Sequence, residues 1–148
     1  MTISIRPLHF EDHAAWEPLW QGYLDFYETA LAPEVTDTTW ARLLDAAEPM
    51  EGLGAIDANG ALIGFAITLR HRSSWGLNDY TYLEDLFVAP QARGQGAARA
   101  LIEAVCERAK AAGSPRVYWL TQETNATAQA LYDRVAKRSD FIVYRRAP

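Results

Sequence analysis

The sequence predicts a mixed α/β domain, a central and mostly antiparallel sheet flanked by helices. Three observations predict it. Short runs alternate apolar and polar residues with a period of two, as in Thr2–Arg6, which marks half-buried strands. Longer runs repeat apolar residues every three or four positions, as in Trp16, Leu19, Trp20, Tyr23, Leu24 and Tyr27, which marks amphipathic helices. The order also changes along the chain, from an antiparallel hairpin in the middle to strand–helix–strand behind it.

Taken in order, Thr2–Arg6 is a first strand with Ile3 and Ile5 inward. A helix is expected from Glu11 to about Thr29, starting late or breaking at Pro18, because proline fits only a first turn without loss. A second helix is expected over Asp37–Ala47, capped by Thr36 or Asp37 and closed before Pro49. Gly52–Ile56 and Ala61–Arg70 flank Ala58-Asn59-Gly60, a strong hairpin signal. After a polar loop, Asp79–Val88 is the next strand. The following helix runs to Ala112, buries Leu101, Ile102, Val105 and Ala109, and stops at Gly113-Ser114-Pro115. Arg116–Thr121 is expected as a strand, Thr124–Val135 as a helix and Phe141–Arg145 as a last strand.

With 148 residues, 49% of them hydrophobic, the chain supports one core, and residues 1–148 are read as a single domain. A net charge of −5 argues against nucleic acid as the main partner, since duplex binding needs a basic face. The single cysteine, Cys106, permits no internal disulfide and fits a reducing compartment. No leader-like segment or membrane-length apolar run is legible, so the expected location is cytoplasmic, away from membranes. His9, His13 and His71 match no metal spacing, and no metal is expected.

The most informative stretch is Tyr82-Leu-Glu-Asp-Leu-Phe-Val-Ala-Pro-Gln-Ala-Arg-Gly-Gln-Gly-Ala-Ala98: a strand, a glycine turn bearing Arg93, and the start of a helix. Gly94 and Gly96 let backbone N–H groups approach an anion, and the helix dipole points its positive end there. A dinucleotide fingerprint would need a small residue where Arg99 stands and a turn after the first strand. A nucleotide P-loop would need Gly-Lys-Ser/Thr, which is absent.

The run Gln91-Ala-Arg-Gly-Gln-Gly96, followed by Asn125 and Ala128-Gln-Ala-Leu-Tyr132, resembles the GCN5-related N-acetyltransferase (GNAT) family over Tyr82 to Tyr132. Within it, Tyr82–Val88 and Val117–Asn125 look like the histone/polyamine (diamine) acetyltransferase branch. The resemblance implies splayed strands that hold acetyl-CoA. The main chain of Leu86, Phe87 and Val88 would pair with the pantetheine arm. N–H groups from Arg93 through Gly94, Gln95, Gly96 and Ala97 to Ala98, behind Gln91, would take the pyrophosphate. Asn125, with Ala128 and Tyr132 on its helix, would bond the arm from the other side. The family pattern Gly-Phe after that helix is replaced here by Ala136-Lys-Arg-Ser-Asp-Phe141.

Acetyl transfer to an amine requires removal of a proton, because an alkylamine has a pKa near ~10.4. Glu84 and Asp85 are adjacent on a strand and are expected to point to opposite faces. The resemblance places the base at Glu84, acting directly or through water, and the acid that protonates the thiolate at Tyr132. The alternatives are a Glu84 that only binds the amine or sits in solvent, and a Tyr132 that is only packed. Tyr23 and Tyr27, with Asp25 and Glu28 nearby, are candidates for an aromatic wall around a cationic acceptor, and Trp75 and Asp79 for its far side. Cys106 reads as a small core residue.

The function expected is acetyl-CoA-dependent N-acetylation of a small cationic amine, a polyamine or an amino acid, by direct attack. The rivals are a histone-type protein lysine acetyltransferase, a non-catalytic CoA-binding module, and an aminoglycoside-modifying enzyme. A homodimer joined near Tyr144-Arg145-Arg146 is implied by the resemblance.

Overall fold

The structure is a computed structural model and describes residues 2–148. The chain forms β1 (Ser4–Pro7), a 3₁₀ turn at Phe10–Asp12, α1 (His13–Phe26), α2 (Pro33–Leu43), β2 (Met50–Ile56), β3 (Leu62–His71) and β4 (Tyr80–Val88). A second 3₁₀ turn at Pro90–Ala92 leads to α3 (Ala97–Ala111), β5 (Val117–Tyr118) and α4 (Ala126–Val135). The five strands lie in the order β1-β2-β3-β4-β5, antiparallel up to β4 and parallel between β4 and β5. This is the expected mixed, mostly antiparallel sheet.

The hairpin forms where Asn59-Gly60 predicts it. Gly60 takes φ +82°, and the Asp57 carboxylate accepts from the N–H groups of Asn59 and Ala61, both at 2.9 Å. Phe65 on β3, fully buried, packs against Trp16, Trp20 and Tyr23, which seats α1 on one face of the sheet. The other face receives α3 through Leu101, Ile102, Val105 and Ala109, the stripe that helical spacing selects. The half-buried thiol of Cys106 on this helix is pushed up by burial and by Glu103, which leaves it a poor nucleophile.

Four expectations are corrected. Pro18 neither starts nor breaks α1 but sits inside it, removing only the N–H that would have reached the carbonyl one turn back. The second helix starts at Pro33, not Asp37, because proline at the first helical position has no N–H to waste and a preset φ. Thr36 therefore lies within α2, buried, where its hydroxyl accepts from the Trp20 indole at 3.0 Å and ties α2 to α1. Only Val117 and Tyr118 of the expected Arg116–Thr121 strand pair with β4. Phe141–Arg145 forms no strand: residues 136–148 are exposed throughout and join no sheet among the described residues. Its β-branched and aromatic composition favours a strand, but a strand exists only where an edge accepts its hydrogen bonds.

Among the described residues, no helix is long and apolar enough to cross a membrane.

Candidate active site

The site begins where the sheet opens. On its β5 side, β4 is paired only at Thr81 and Tyr82. From Leu83 to Val88 that edge is unpaired, so the main chain of Leu86, Phe87 and Val88 offers donors and acceptors to an extended ligand. On the other side β4 stays paired with β3, and the Ala89 N–H still donates to Ile63 at 2.8 Å before Pro90 ends the strand.

The glycine turn follows directly. Gly94 and Gly96 both sit at φ +83°, a conformation that side chains rarely adopt. A Cβ built on either would meet nothing within 4 Å, so these glycines are required by backbone geometry and the space above them is open. Gly96 caps α3 without any side-chain hydrogen bond, and no acidic residue occupies the first turn. The first amides of α3 thus remain as donors under the positive end of the dipole, a fit for a pyrophosphate. Ala97 is buried and Ala98 half-buried, while Gln91 is exposed and Gln95 half-buried beside the turn. Arg93 behaves differently from a freely poised charge. Its Nε donates to the Val88 carbonyl at 3.2 Å and its guanidinium lies 5.7 Å from the Phe87 ring, pinning the turn to the end of β4.

Across the opening stands α4. Asn125 caps it, its Oδ1 accepting from the Ala128 N–H at 3.1 Å, which leaves Nδ2 as the group available to a ligand. Tyr132 packs edge-on against Trp119 at 5.4 Å and is raised above the ordinary tyrosine range by burial and by Tyr27, so its hydroxyl stays protonated at neutral pH.

The acceptor side is set by an irregularity in β4. The β3–β4 register runs Ile67↔Asp85 and then Thr68↔Leu83, so Glu84 is the extra residue of a β-bulge. Burial nevertheless alternates through Glu84 and Asp85 as strand spacing expects. Glu84 is exposed at the bulge, whereas Asp85 is 9% exposed beneath α1. The Tyr23 phenol lies near the Asp85 carboxylate, and each acts on the other's ionisation. Burial pushes Asp85 up to about 7, the Tyr23 phenol opposes this, and Glu84 adds to it. Burial and then Asp85 raise both Tyr23 and Tyr27, and Tyr27 in turn acts on Tyr132, so the two walls of the opening meet in one electrostatic cluster.

The structure therefore brings together Tyr23, Tyr27, Glu84 and Tyr132. It does not bring in Trp75, which is 88% exposed in the loop before β4. Asp79 is engaged by Arg72 at 3.1 Å, and Asp25 and Glu28 are exposed at the end of α1. Residues missed in the sequence are Asp85, Tyr82 and Tyr118. The last two stack at 4.9 Å where β5 meets β4, and the His71 ring is bonded to the Tyr118 hydroxyl at 2.7 Å. Strand spacing alone could have paired Tyr82 with Glu84, but nothing local announces the bulge.

A groove of about 380 Å³ between α3 and the sheet lies apart from this cluster, and its Glu51 and Arg108 are ion-paired with each other.

Comparison with known proteins identifies the family and the fold. The sequence profile described as the acetyltransferase (GNAT) family matches residues 13–136. The D-amino-acid N-acetyltransferase HPA3 of Saccharomyces cerevisiae is 41% identical over 145 residues, covering 97% of this chain and 90% of that protein. The thialysine N-epsilon-acetyltransferase of Caenorhabditis elegans is 40% identical over 63 residues, 43% of this chain and 39% of that one. Among solved structures, AAC(6')-Iy in complex with a bisubstrate analog, CoA-S-monomethyl-acetylneamine, superposes with a TM-score of 0.84 at 21% identity, covering 100% of this chain and 99% of that one. At that identity the likeness concerns the fold. Family profile, near full-length relative and fold converge, and this chain belongs to the GNAT acetyltransferase family as an N-acetyltransferase.

Proposed function

We propose that the chain transfers the acetyl group of acetyl-CoA directly to the primary amine of a small cationic acceptor, with amino acids as the first class and polyamines as the second. The observation that carries this reading is one opening with complementary chemistry on its sides. An unpaired strand edge runs into an uncapped helix start, one carboxylate lies beneath α1 with a second exposed beside it, and a protonated phenol stands on α4. The relative named for D-amino acids supports the amino-acid class.

The pantetheine arm pairs with Leu86–Val88, the pyrophosphate takes the amides of Arg93–Ala98, and Asn125 steadies the arm through Nδ2. Acetyl-CoA supplies the activated thioester. A backbone N–H of Leu86–Val88 polarises its carbonyl. Glu84 meets the incoming ammonium, directly or through water, and is the proton acceptor that the family resemblance gives. The neutral nitrogen then attacks the carbonyl carbon, the C–N bond forms and the C–S bond breaks. Tyr132 gives its hydroxyl proton to the departing sulfur, and the nitrogen's second proton makes good that loss. The net products are an N-acetylamine, CoA thiol and one proton. Tyr23 and Tyr27 face the cation with their rings.

The test is thiol release from acetyl-CoA with panels of L- and D-amino acids, polyamines, aminoglycosides and histone peptides. Turnover confined to free small amines is expected. Turnover only on histone peptides would give the chain to protein lysines. Stabilisation by acetyl-CoA with no turnover would make it a CoA-binding module.

The chain acts as a homodimer joined through its C-terminal segment. Phe141, Ile142, Val143 and Tyr144 are 83%, 75%, 61% and 89% exposed, an apolar run that water disfavours. Ala136 leaves α4 fully extended, at φ −152° and ψ 177°, and every residue after it is exposed. Meanwhile α4 has no buried residue, and Trp119–Thr121 leave the outer sheet edge unpaired. A strand from a second copy satisfies all three. Sedimentation is expected to give twice the 16.5 kDa chain mass, falling to one chain in Val143→Pro, which removes a strand N–H from an exposed segment. A wild-type monomer, or a dimer indifferent to the proline, rejects the assignment.

A further inference from the structure

Glu84 and Asp85 offer the reaction two carboxylates, and the structure treats them oppositely. Glu84 is exposed at the bulge, where water competes for any proton or cation it holds. Asp85 lies opposite the apolar Ile67 and beneath α1, at the point where the β4 edge opens and just before the Leu86–Val88 segment. The titratable groups facing it are Tyr23 and Tyr27 from α1, and Tyr82 and Glu84 from its own strand. Beyond Tyr27 lies Tyr132. None of the groups that shift Asp85 is a cation.

We propose that Asp85, buried beneath α1 just before the Leu86–Val88 segment, takes the proton from the acceptor ammonium, while Glu84 draws the cation to the opening. This rests on the acetyl-transfer reading above and moves its proton acceptor from Glu84, where the family resemblance puts it, to Asp85. The step balances simply: one N–H bond of R–NH₃⁺ breaks, one O–H bond forms on the Asp85 carboxylate, and neutral R–NH₂ and a carboxylic acid remain.

The physical reason is the cost of charge in a dry place. An ammonium and a carboxylate facing each other away from water are two desolvated charges, and moving one proton removes both. At Glu84 the same transfer gains nothing from desolvation. Asp85, pushed up to about 7 by burial, is largely ionised above neutrality yet holds a proton far better than a solvated carboxylate, which suits a base at working pH. Tyr23 tunes this, since its phenol favours the ionised form and lowers Asp85.

The test is the pH profile of kcat/KM for the best D-amino acid acceptor, measured on wild type, Asp85→Asn, Asp85→Glu, Glu84→Gln and Tyr23→Phe. A carboxyl-carbon NMR titration of Asp85 is recorded alongside. Wild type is expected to show an acidic limb near pH 7 that coincides with the Asp85 titration. Asp85→Asn is expected to lose the limb and roughly 10²–10⁴-fold of the rate. Asp85→Glu should restore part of both. Glu84→Gln keeps the limb but raises KM, and Tyr23→Phe moves the limb to higher pH because the stabilising phenol is gone. A merely structural Asp85 would not move the limb with Tyr23. Turnover whose limb survives Asp85→Asn, or vanishes in Glu84→Gln alone, overturns this assignment while leaving acetyl transfer intact. No turnover in wild type with any amine overturns the acetyl-transfer reading, and this assignment with it.

Discussion

Tyr132→Phe is expected to lower kcat by roughly 10²–10⁴-fold, the contribution of a positioned general acid, while acetyl-CoA still binds. The change deletes one oxygen and keeps the ring that packs on Trp119, so α4 and its Asn125 cap stay in place. The loss should therefore fall on kcat, with little change in the thermal shift that acetyl-CoA produces. The reason lies with the leaving group, since a thiolate departing beside the half-buried Trp119 and Tyr132 rings needs a positioned proton donor. The Tyr132 hydroxyl, raised above its ordinary range by burial and Tyr27, is protonated across the whole neutral range. Activity that depends on it should persist on the alkaline side up to and beyond the ordinary tyrosine value near ~10. Steady-state thiol release and a CoA thermal shift on the purified variant check both halves. An unchanged kcat would remove Tyr132 from the reaction and leave it a packing residue.

Asp85→Asn should make the protein more stable than wild type at alkaline pH, an effect opposite in sign to its effect on activity. Asp85 is held up at about 7 in the folded protein against an ordinary 3.8. Its folded value exceeds its unfolded one, so the folded state binds the extra proton. The associated stability is fully present below about pH 4 and is lost as pH rises through about 7. Above that, wild type carries a buried charge that asparagine does not. The difference is bounded at about 4 kcal/mol, three pKa units at ~1.36 kcal/mol each. Urea unfolding at pH 5 and pH 8.5 measures it, and the expected result is a variant advantage that grows between the two. An advantage of the same size at both values would show that Asp85 titrates like a solvated carboxylate. Taken with the loss of rate, the stability gain would mark Asp85 as a residue kept for chemistry at the expense of the fold.

These two residues also show how unevenly the site was legible. The placement of Asn125 and Tyr132 at one helix was legible because it depends on local spacing, and α4 forms where the sequence places it. Gly94 and Gly96 were readable because a positive φ is a local demand that glycine meets, and both take it. Asp85 was not selected, because strand alternation separates the two carboxylates without saying which one meets the opening, and its burial beneath α1 depends on which surfaces meet. Trp75 was misplaced for a related reason: composition makes it an attractive aromatic wall, but only the path of its loop decides that it faces solvent.

By itself the sequence determined the order of elements as far as α4, the hairpin at Asn59-Gly60, the buried stripe of α3 and the turn at Gly94 and Gly96. Each rests on contacts or torsions within a few residues, where composition and period act directly. The tertiary structure alone decided which carboxylate is dry, how far β5 pairs, where Pro18 and Pro33 sit in their helices, and that Phe141–Tyr144 joins no strand among the described residues. Those outcomes depend on which surfaces meet, and burial and hydrogen-bond pairing between distant segments are fixed only when the whole sheet has formed.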